Sequence, residues 1–489
     1  MTRTLPFSSK LGFGVGQTAE GITLAVFGTF TLFYFNQILQ VSGTLTGLAL
    51  GIALLFDAIT DPLAGSYSDR LKSRWGRRHP LIALSAIPLA LCVIALFSPP
   101  DGMSEVFYFG WLVTFAVLAR LFLTLYHIPH LALGAEMAHD YVDRSRVFAY
   151  SQLFGTLGAA AFGFLMLTYV FPTPEGAEHG MLNREGYTPF AWSAAIAIVI
   201  SIGLFLWGTF KEIPYLPEAR FAVDERLSAR RLAGEIKAAF SNRSFSMLFA
   251  GLFCAVIMLG IEGTFMVYMY VHFWELDTES MRWMGPTAIA ALPISIALAP
   301  FLTRRYDKRR ILILLSTIII LNTNVMICLR LFTDLLPANG TPELLTLLLT
   351  FVFIGGLAGP AVMVTLNSMF ADIADEQELH TGERHEGIIF SARSFAFKAA
   401  GALASILGGI GLDLISFPRG ASPGEVPEDV LFLLGMVAGP LTSVFGLLIL
   451  LFYLGYGLTR TRVDAIQQAL VVRRHEAAAL GRISESTPV

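Results

Sequence analysis

The sequence predicts an all-α, polytopic membrane protein with twelve transmembrane helices in two pseudo-symmetric bundles of six. Three observations carry that expectation. Of the 489 residues, 55% are hydrophobic and only 15% charged, against about 25% charged in a typical soluble domain. Twelve apolar runs each reach the roughly 17 to 25 residues needed to span a hydrocarbon core of about 30 Å. A charged linker separates the sixth run from the seventh.

In chain order the runs are 12–39, 45–67, 81–98, 106–133, 149–171 and 189–210, then 245–273, 285–303, 311–333, 343–370, 388–414 and 430–457. They divide the chain into a first bundle (1–210), a linker (211–244), a second bundle (245–457) and a tail (458–489) whose pattern reads as an amphipathic helix followed by disorder. With both termini in the cytoplasm, the outward loops hold only Arg184, Arg282 and Arg419 of the 34 Lys and Arg residues, and the spans hold Arg120, Arg330, Arg393 and Lys398. That asymmetry sets the orientation, because basic residues stay on the cytoplasmic side. The halves also echo each other. The first helix carries Ala19-Glu20-Gly21-Ile22 and the seventh Ile261-Glu262-Gly263-Thr264, and basic turns follow the second and eighth helices. Two such repeats are the layout expected of a transporter whose site lies between halves that rock.

Composition also excludes classes. A net charge of −3 and a pI near 6.3, with no basic block beyond short loop clusters, argue against a nucleic-acid partner. Cys92, Cys254 and Cys328 lie far apart in apolar runs and form neither a disulfide framework nor a metal motif. A membrane-embedded enzyme, the alternative of another class, would need a nucleophile or metal constellation that the sequence does not offer. A receptor would need a large soluble domain.

The chemistry centres on Phe56 to Pro80. Asp57 and Asp61 stand four residues apart in an apolar run, one helical turn apart on one face. A carboxylate at the bilayer centre costs at least about 2.5 to 3.5 kcal/mol, so a pair implies a cation or proton site. Pro62 lacks an amide proton, which frees a carbonyl near Ala58 to line a cavity. Further candidates are Glu20 in a Gly-rich first helix, Lys398 deep in the eleventh, and Arg393 one turn before it. In the fourth helix Thr124 and His127 are three apart and are expected to converge on one point. Asp69, Arg70, Arg74 and Arg77 after the second helix, Arg144 after the fourth, and an acidic loop with Asp372 and Glu376 before the eleventh read as gate charges. Salt bridges among them would close the inward side in one conformation.

These residues resemble the glycoside-pentoside-hexuronide:cation symporters of the major facilitator superfamily. The matching pieces are Asp57-Ala58-Ile59-Thr60-Asp61-Pro62, Ser73-Arg74-Trp75-Gly76-Arg77, Ile128-Pro129, and Gly387 through Lys398 with the acidic tract before it. The resemblance implies the major facilitator fold, a cation site at Asp57, Asp61 and Thr124, and Lys398 close to both ion and sugar. It places Glu20 near a sugar-binding aspartate of the family. Three positions depart from the pattern: His127 stands where the family's melibiose permease has an aspartate, Leu131 where it has a tryptophan platform, and Gln152 where it has an arginine.

The expectation is therefore a secondary active transporter in the plasma membrane, a bacterial inner membrane, moving a glycoside or other small organic solute with a cation by alternating access. It would act as a monomer and need no cofactor beyond the coupling ion. The loss of one carboxylate to an imidazole favours a proton over sodium, and sodium at Asp57, Asp61 and Thr124 stays open. Vertebrate lysolipid symporters resemble the same family, so an amphiphile is the alternative cargo.

Overall fold

The computed structural model describes residues 5–138, 141–173, 179–216, 240–381 and 386–485. Twelve helices in it are long and apolar enough to cross a membrane: α1 Phe7–Ile38, α2 Gly43–Arg70, α3 His79–Leu96, α4 Glu105–Met137, α5 Asp143–Val170, α6 Arg184–Tyr215, α7 Arg243–Phe273, α8 Thr278–Arg305, α9 Lys308–Phe332, α10 Pro342–Leu379, α11 Ala392–Leu414 and α12 Glu428–Leu454. Every expected run has its helix. An even number of spans brings both ends of the chain to one face, here called the terminal face. A further helix, α13 (Arg460–Glu485), follows on that side. Most of the linker, 217–239, lies outside the described residues.

Several helices outrun their apolar cores. The acidic tract read as a loop, with Asp372 and Glu376, is instead the continuation of the tenth helix, which stays helical through Thr381. Hydropathy marks where lipid ends, whereas a helix of good formers such as Ala and Glu continues into water. Ser42, Ser104 and Asn242 cap α2, α4 and α7 by accepting the amide protons of Leu45, Phe107 and Phe245. The repeat is visible in the backbone as well: α1 and α7 both end in π-helical turns, Tyr34–Ile38 and Met269–Phe273.

The bundles meet along α2 and α11. Gly43, Gly47 and Gly51, spaced four apart, present one bare face of α2. A Cβ at Gly47 would lie 2.3 Å from the Ser405 carbonyl oxygen, and one at Gly43 would lie 2.5 Å from that of Gly409. Small residues at this spacing let two helix backbones touch inside a membrane. At the face away from the termini this contact is locked by polar groups. The Asp413 carboxylate accepts from the amides of Gly43 at 2.9 Å and Thr44 at 2.8 Å, capping a first-half helix from the second half. Tyr268 donates to Asn36 at 2.8 Å, and Arg419 to the Gln40 carbonyl at 2.9 Å. In the loops there, His179 Nε2 donates to the Leu276 carbonyl at 2.9 Å and Nδ1 accepts from Met181. Burial holds this imidazole below its ordinary range, in keeping with a neutral ring.

The terminal face is different. Among the described residues its ion pairs include Lys10 with Asp143 at 2.5 Å, Arg78 with Glu136 at 2.7 Å, and Lys308 with Asp372 at 2.6 Å, each within one half, while Arg462 of α13 pairs with Glu376 at 2.8 Å. The structure is thus a conformation tied shut at the face away from the termini.

Candidate functional site

The two carboxylates of α2 meet α4 on one side and α11 on the other. Asp57 is buried and Asp61 half-buried, and both aim at the Thr124 hydroxyl: Oγ1 lies 2.7 Å from Asp57 Oδ1 and 2.8 Å from Asp61 Oδ1. One hydroxyl proton can be donated to only one of them. The other short oxygen–oxygen contact is satisfied when that carboxyl carries its own proton or when a cation sits among the three oxygens.

Lys398 crosses from the second half to the same point. Its ammonium contacts Asp61 Oδ2 directly, lies 3.4 Å from Asp57 Oδ2, and donates to the Asp57 carbonyl at 3.2 Å. The sequence had placed a freed carbonyl near Ala58, and the lysine takes the neighbouring one. α2 runs through Pro62 unbroken, so the proline shapes the wall without ending the helix.

Arg120 completes this cluster, and the sequence reading gave it no role. Its side chain is buried, with Nη1 3.7 Å from Asp57 Oδ2 and the guanidinium carbon 5.0 Å from the centre of the Phe27 ring. The signal was present in the spacing. Arg120, Thr124 and His127 stand at i, i+4 and i+7, one face of one helix. Arg120→Met is expected to lower the stability of the protein in detergent by about 3 kcal/mol, the lower end for breaking a buried ion pair. Thermal unfolding of the purified variant checks this, and an unchanged midpoint would mean that Asp57 does not need the guanidinium.

His127 does not converge with Thr124. Its Nδ1 lies 2.9 Å from Glu20 Oε2, at ion-pair distance though not aligned as a hydrogen bond, and Glu20 also takes a contact from the Gln17 amide. The face of α4 is wide enough that residues three apart reach different neighbours, α2 for Thr124 and α1 for His127. The expectation of one shared point is therefore corrected to two adjoining ones.

The other candidates fall as follows. Leu131 is half-buried one turn beyond His127, and Gln152 is exposed on α5, its amide donating to Thr156 at 3.4 Å. Arg393 lies over the Phe397 ring at 5.2 Å and does not join the carboxylates. Among the gate charges, Asp69 pairs with Arg78 at 2.5 Å and Arg77 with Glu136 at 2.9 Å. Arg70 is exposed, Arg74 stands over Trp75, and Arg144 donates to the Ala135 carbonyl. Asp372 and Glu376 show pairs other than the expected ones with the basic turn of the first half. Among the described residues, Asp372 pairs with Lys308, and Glu376 with Arg462 and Asn242, of the second half and tail.

Comparison with known proteins agrees with this architecture. Residues 12–460 match the family model described as MFS/sugar transport protein. The chain is 24% identical to the uncharacterized symporter sll1374 of Synechocystis sp., with 96% of this chain and 97% of that protein covered. It is 21% identical to the isoprimeverose transporter of Lactiplantibacillus pentosus, over 81% of this chain and 77% of the relative. Among solved structures, the xylose transporter XylE from E. coli in its inward open conformation superposes with a TM-score of 0.62 at 14% identity, covering 94% of this chain and 99% of that one. Twelve apolar helices in two bundles, a charged cluster where they meet, and a match along nearly the whole chain make this an integral membrane transporter of the MFS/sugar transport protein family.

Proposed function

We propose that the chain is a cation-coupled symporter of a glycoside or similarly small polar solute, working as a monomer in a bacterial inner membrane with both termini in the cytoplasm. The observation that carries the reading is the bridge from Lys398 to Asp57 and Asp61, because it makes the ion site and the contact between the halves one and the same. Without a bound ion, the lysine is the counter-charge of the carboxylates and holds α11 to α2. A coupling ion competes with it, so ion binding loosens the second half from the first. The terminal face, where the gate charges now pair within their own halves, is then the inward side and the sealed face the outward side. The relative named as a symporter supports the coupling, and the one named as an isoprimeverose transporter supports the class of cargo.

The His127 imidazole, which can take up a proton near neutral pH, favours a proton as the coupling ion. Glu20, Asp57 and Asp61 face two permanent cations, Arg120 and Lys398, and the His127 imidazole. With a neutral imidazole the cluster carries one negative charge in excess, and one proton, on the ring or on a carboxyl, restores balance. The double contact of the Thr124 hydroxyl marks a place for that proton. A sodium ion among the same oxygens would balance the charge equally, so the coupling ion is decided by transport. Counterflow of labelled glycosides in proteoliposomes first identifies a cargo. An inside-alkaline pH gradient in sodium-free proteoliposomes is then expected to drive its uphill uptake, and His127→Asp to shift the preference toward sodium. No uptake under the pH gradient, with uptake under an inward sodium gradient, would decide for sodium.

A further inference from the structure

A second cavity, of about 360 Å³, lies wholly within the second half, between α7, α9, α10 and α12. None of the residues of the Asp57–Asp61 cluster lines it. Its polar lining includes Glu262, Asn322 and Thr323, and its aromatic lining Tyr270, Trp274 and Phe351. Glu262 Oε1 and Asn322 Oδ1 are both buried and both without a hydrogen-bond partner among the described residues, although Asn322 donates through its amide to the Phe351 carbonyl at 3.1 Å. Thr323 lines the cavity beside them, its hydroxyl donating to the Ile319 carbonyl at 3.2 Å. Two buried acceptors left open in the lining of an aromatic cavity call for donors.

The charge is as telling as the hydrogen bonding. Glu262 is the second-half counterpart of Glu20 in the Glu-Gly repeat. In the first half that position meets the His127 imidazole. In the second half no basic side chain among the described residues pairs with it. Arg330 stands over the wall residue Trp274 at 5.5 Å and donates to the Pro337 carbonyl and to Asn339. A buried carboxylate without a counter-charge is costly, and aromatic faces attract cations.

From this geometry we infer that the cavity is a binding site for a small organic cation, a protonated amine whose N–H groups bond Glu262 and Asn322 while its apolar body lies against Tyr270, Trp274 and Phe351. The volume is that of an ordinary small-molecule pocket. Gly263 stands on the wall with nothing within 4 Å of the Cβ it lacks, so a larger side chain there fills the cavity without pushing on its neighbours. The site is independent of the coupling site and of the cargo proposed above.

The experiment uses the purified full chain in nanodiscs and reads tryptophan fluorescence, to which Trp274 contributes from the cavity wall. Benzylammonium is expected to bind saturably. Tetramethylammonium, which has the charge without the N–H groups, and benzyl alcohol, which has a donor without the charge, are each expected to bind at least tenfold more weakly. Glu262→Gln is expected to weaken benzylammonium binding at least tenfold and Gly263→Leu to abolish it, whereas Asp57→Asn leaves it unchanged. Should Glu262→Gln fail to fold, Gly263→Leu decides alone. A signal that never saturates, that survives Gly263→Leu, that follows Asp57→Asn, or that is as strong for benzyl alcohol overturns the proposal.

Discussion

Asp57→Asn is expected to reduce the steady-state accumulation ratio of the transported solute to about 1 under any imposed cation gradient, with passive counterflow retained. One charge carried through 100 mV supplies about 2.3 kcal/mol, a concentration ratio of roughly 50 at 1.4 kcal/mol per tenfold, and this is the quantity the variant should lose. The amide has the volume of the carboxylate and still offers an oxygen to Lys398 and Arg120. What it lacks is the ability to take up a proton or to balance a cation, so Thr124, Asp61 and Lys398 remain without a complete ion site. Accumulation of labelled solute in proteoliposomes, measured beside counterflow, separates the two effects. A variant that accumulates as well as the parent would show that Asp57 is only a structural partner of Arg120, and one that loses counterflow equally would place it in cargo binding or folding.

Gly47→Val is expected to be nearly as damaging for a different reason, by removing the conformation described here. The added Cβ would stand 2.3 Å from a backbone oxygen of α11, and a backbone carbonyl of a packed helix cannot swing aside as a side chain can. Overpacking costs about 1–3 kcal/mol even where neighbours relax, and moving a two-state equilibrium from 1:99 to 99:1 takes about 5.5 kcal/mol. A branched residue wedged between two backbones is expected to cost about 3 kcal/mol, the upper part of the overpacking range, which shifts the equilibrium roughly a hundredfold toward the state open at the face away from the termini. Uptake should fall at least tenfold while the protein stays folded. A cysteine at Thr44, in a background without Cys92, Cys254 and Cys328, should react faster with a membrane-impermeant thiol reagent applied from that face. If the wild-type labelling rate and uptake persist, α2 and α11 do not separate during transport. In the trapped state the gate charges Asp69, Arg70, Arg74, Arg77 and Arg144 are expected to approach Asp372 and Glu376, which now pair within the second half and tail.

The twelve helices were legible because lipid imposes one requirement on every span: some twenty apolar residues with backbone bonds satisfied internally. That requirement is local, so it is written in consecutive residues, and charged Asp57, Asp61 and Lys398 stand out against it as exceptions that need a partner. Helix ends were less legible. The tenth helix continues through Asp372 and Glu376 because leaving the membrane does not stop a helix. Arg120 was visible as a charge in a span, yet its role depended on a neighbour 63 residues away in α2, and no local pattern names that neighbour.

The sequence by itself determined the membrane class, the number of spans, the division into halves and the set of intramembrane charges, since each follows from composition or periodicity along a single segment. The tertiary structure decided how those charges are shared. Thr124 goes to the Asp57–Asp61 pair and His127 to Glu20, Lys398 bridges the halves, and Glu262 faces a cavity of its own. Which residues meet is set by the rotation of each helix about its axis and by how closely two backbones approach, as the glycines of α2 allow against α11. Those are properties of pairs of segments, settled only when the whole bundle packs.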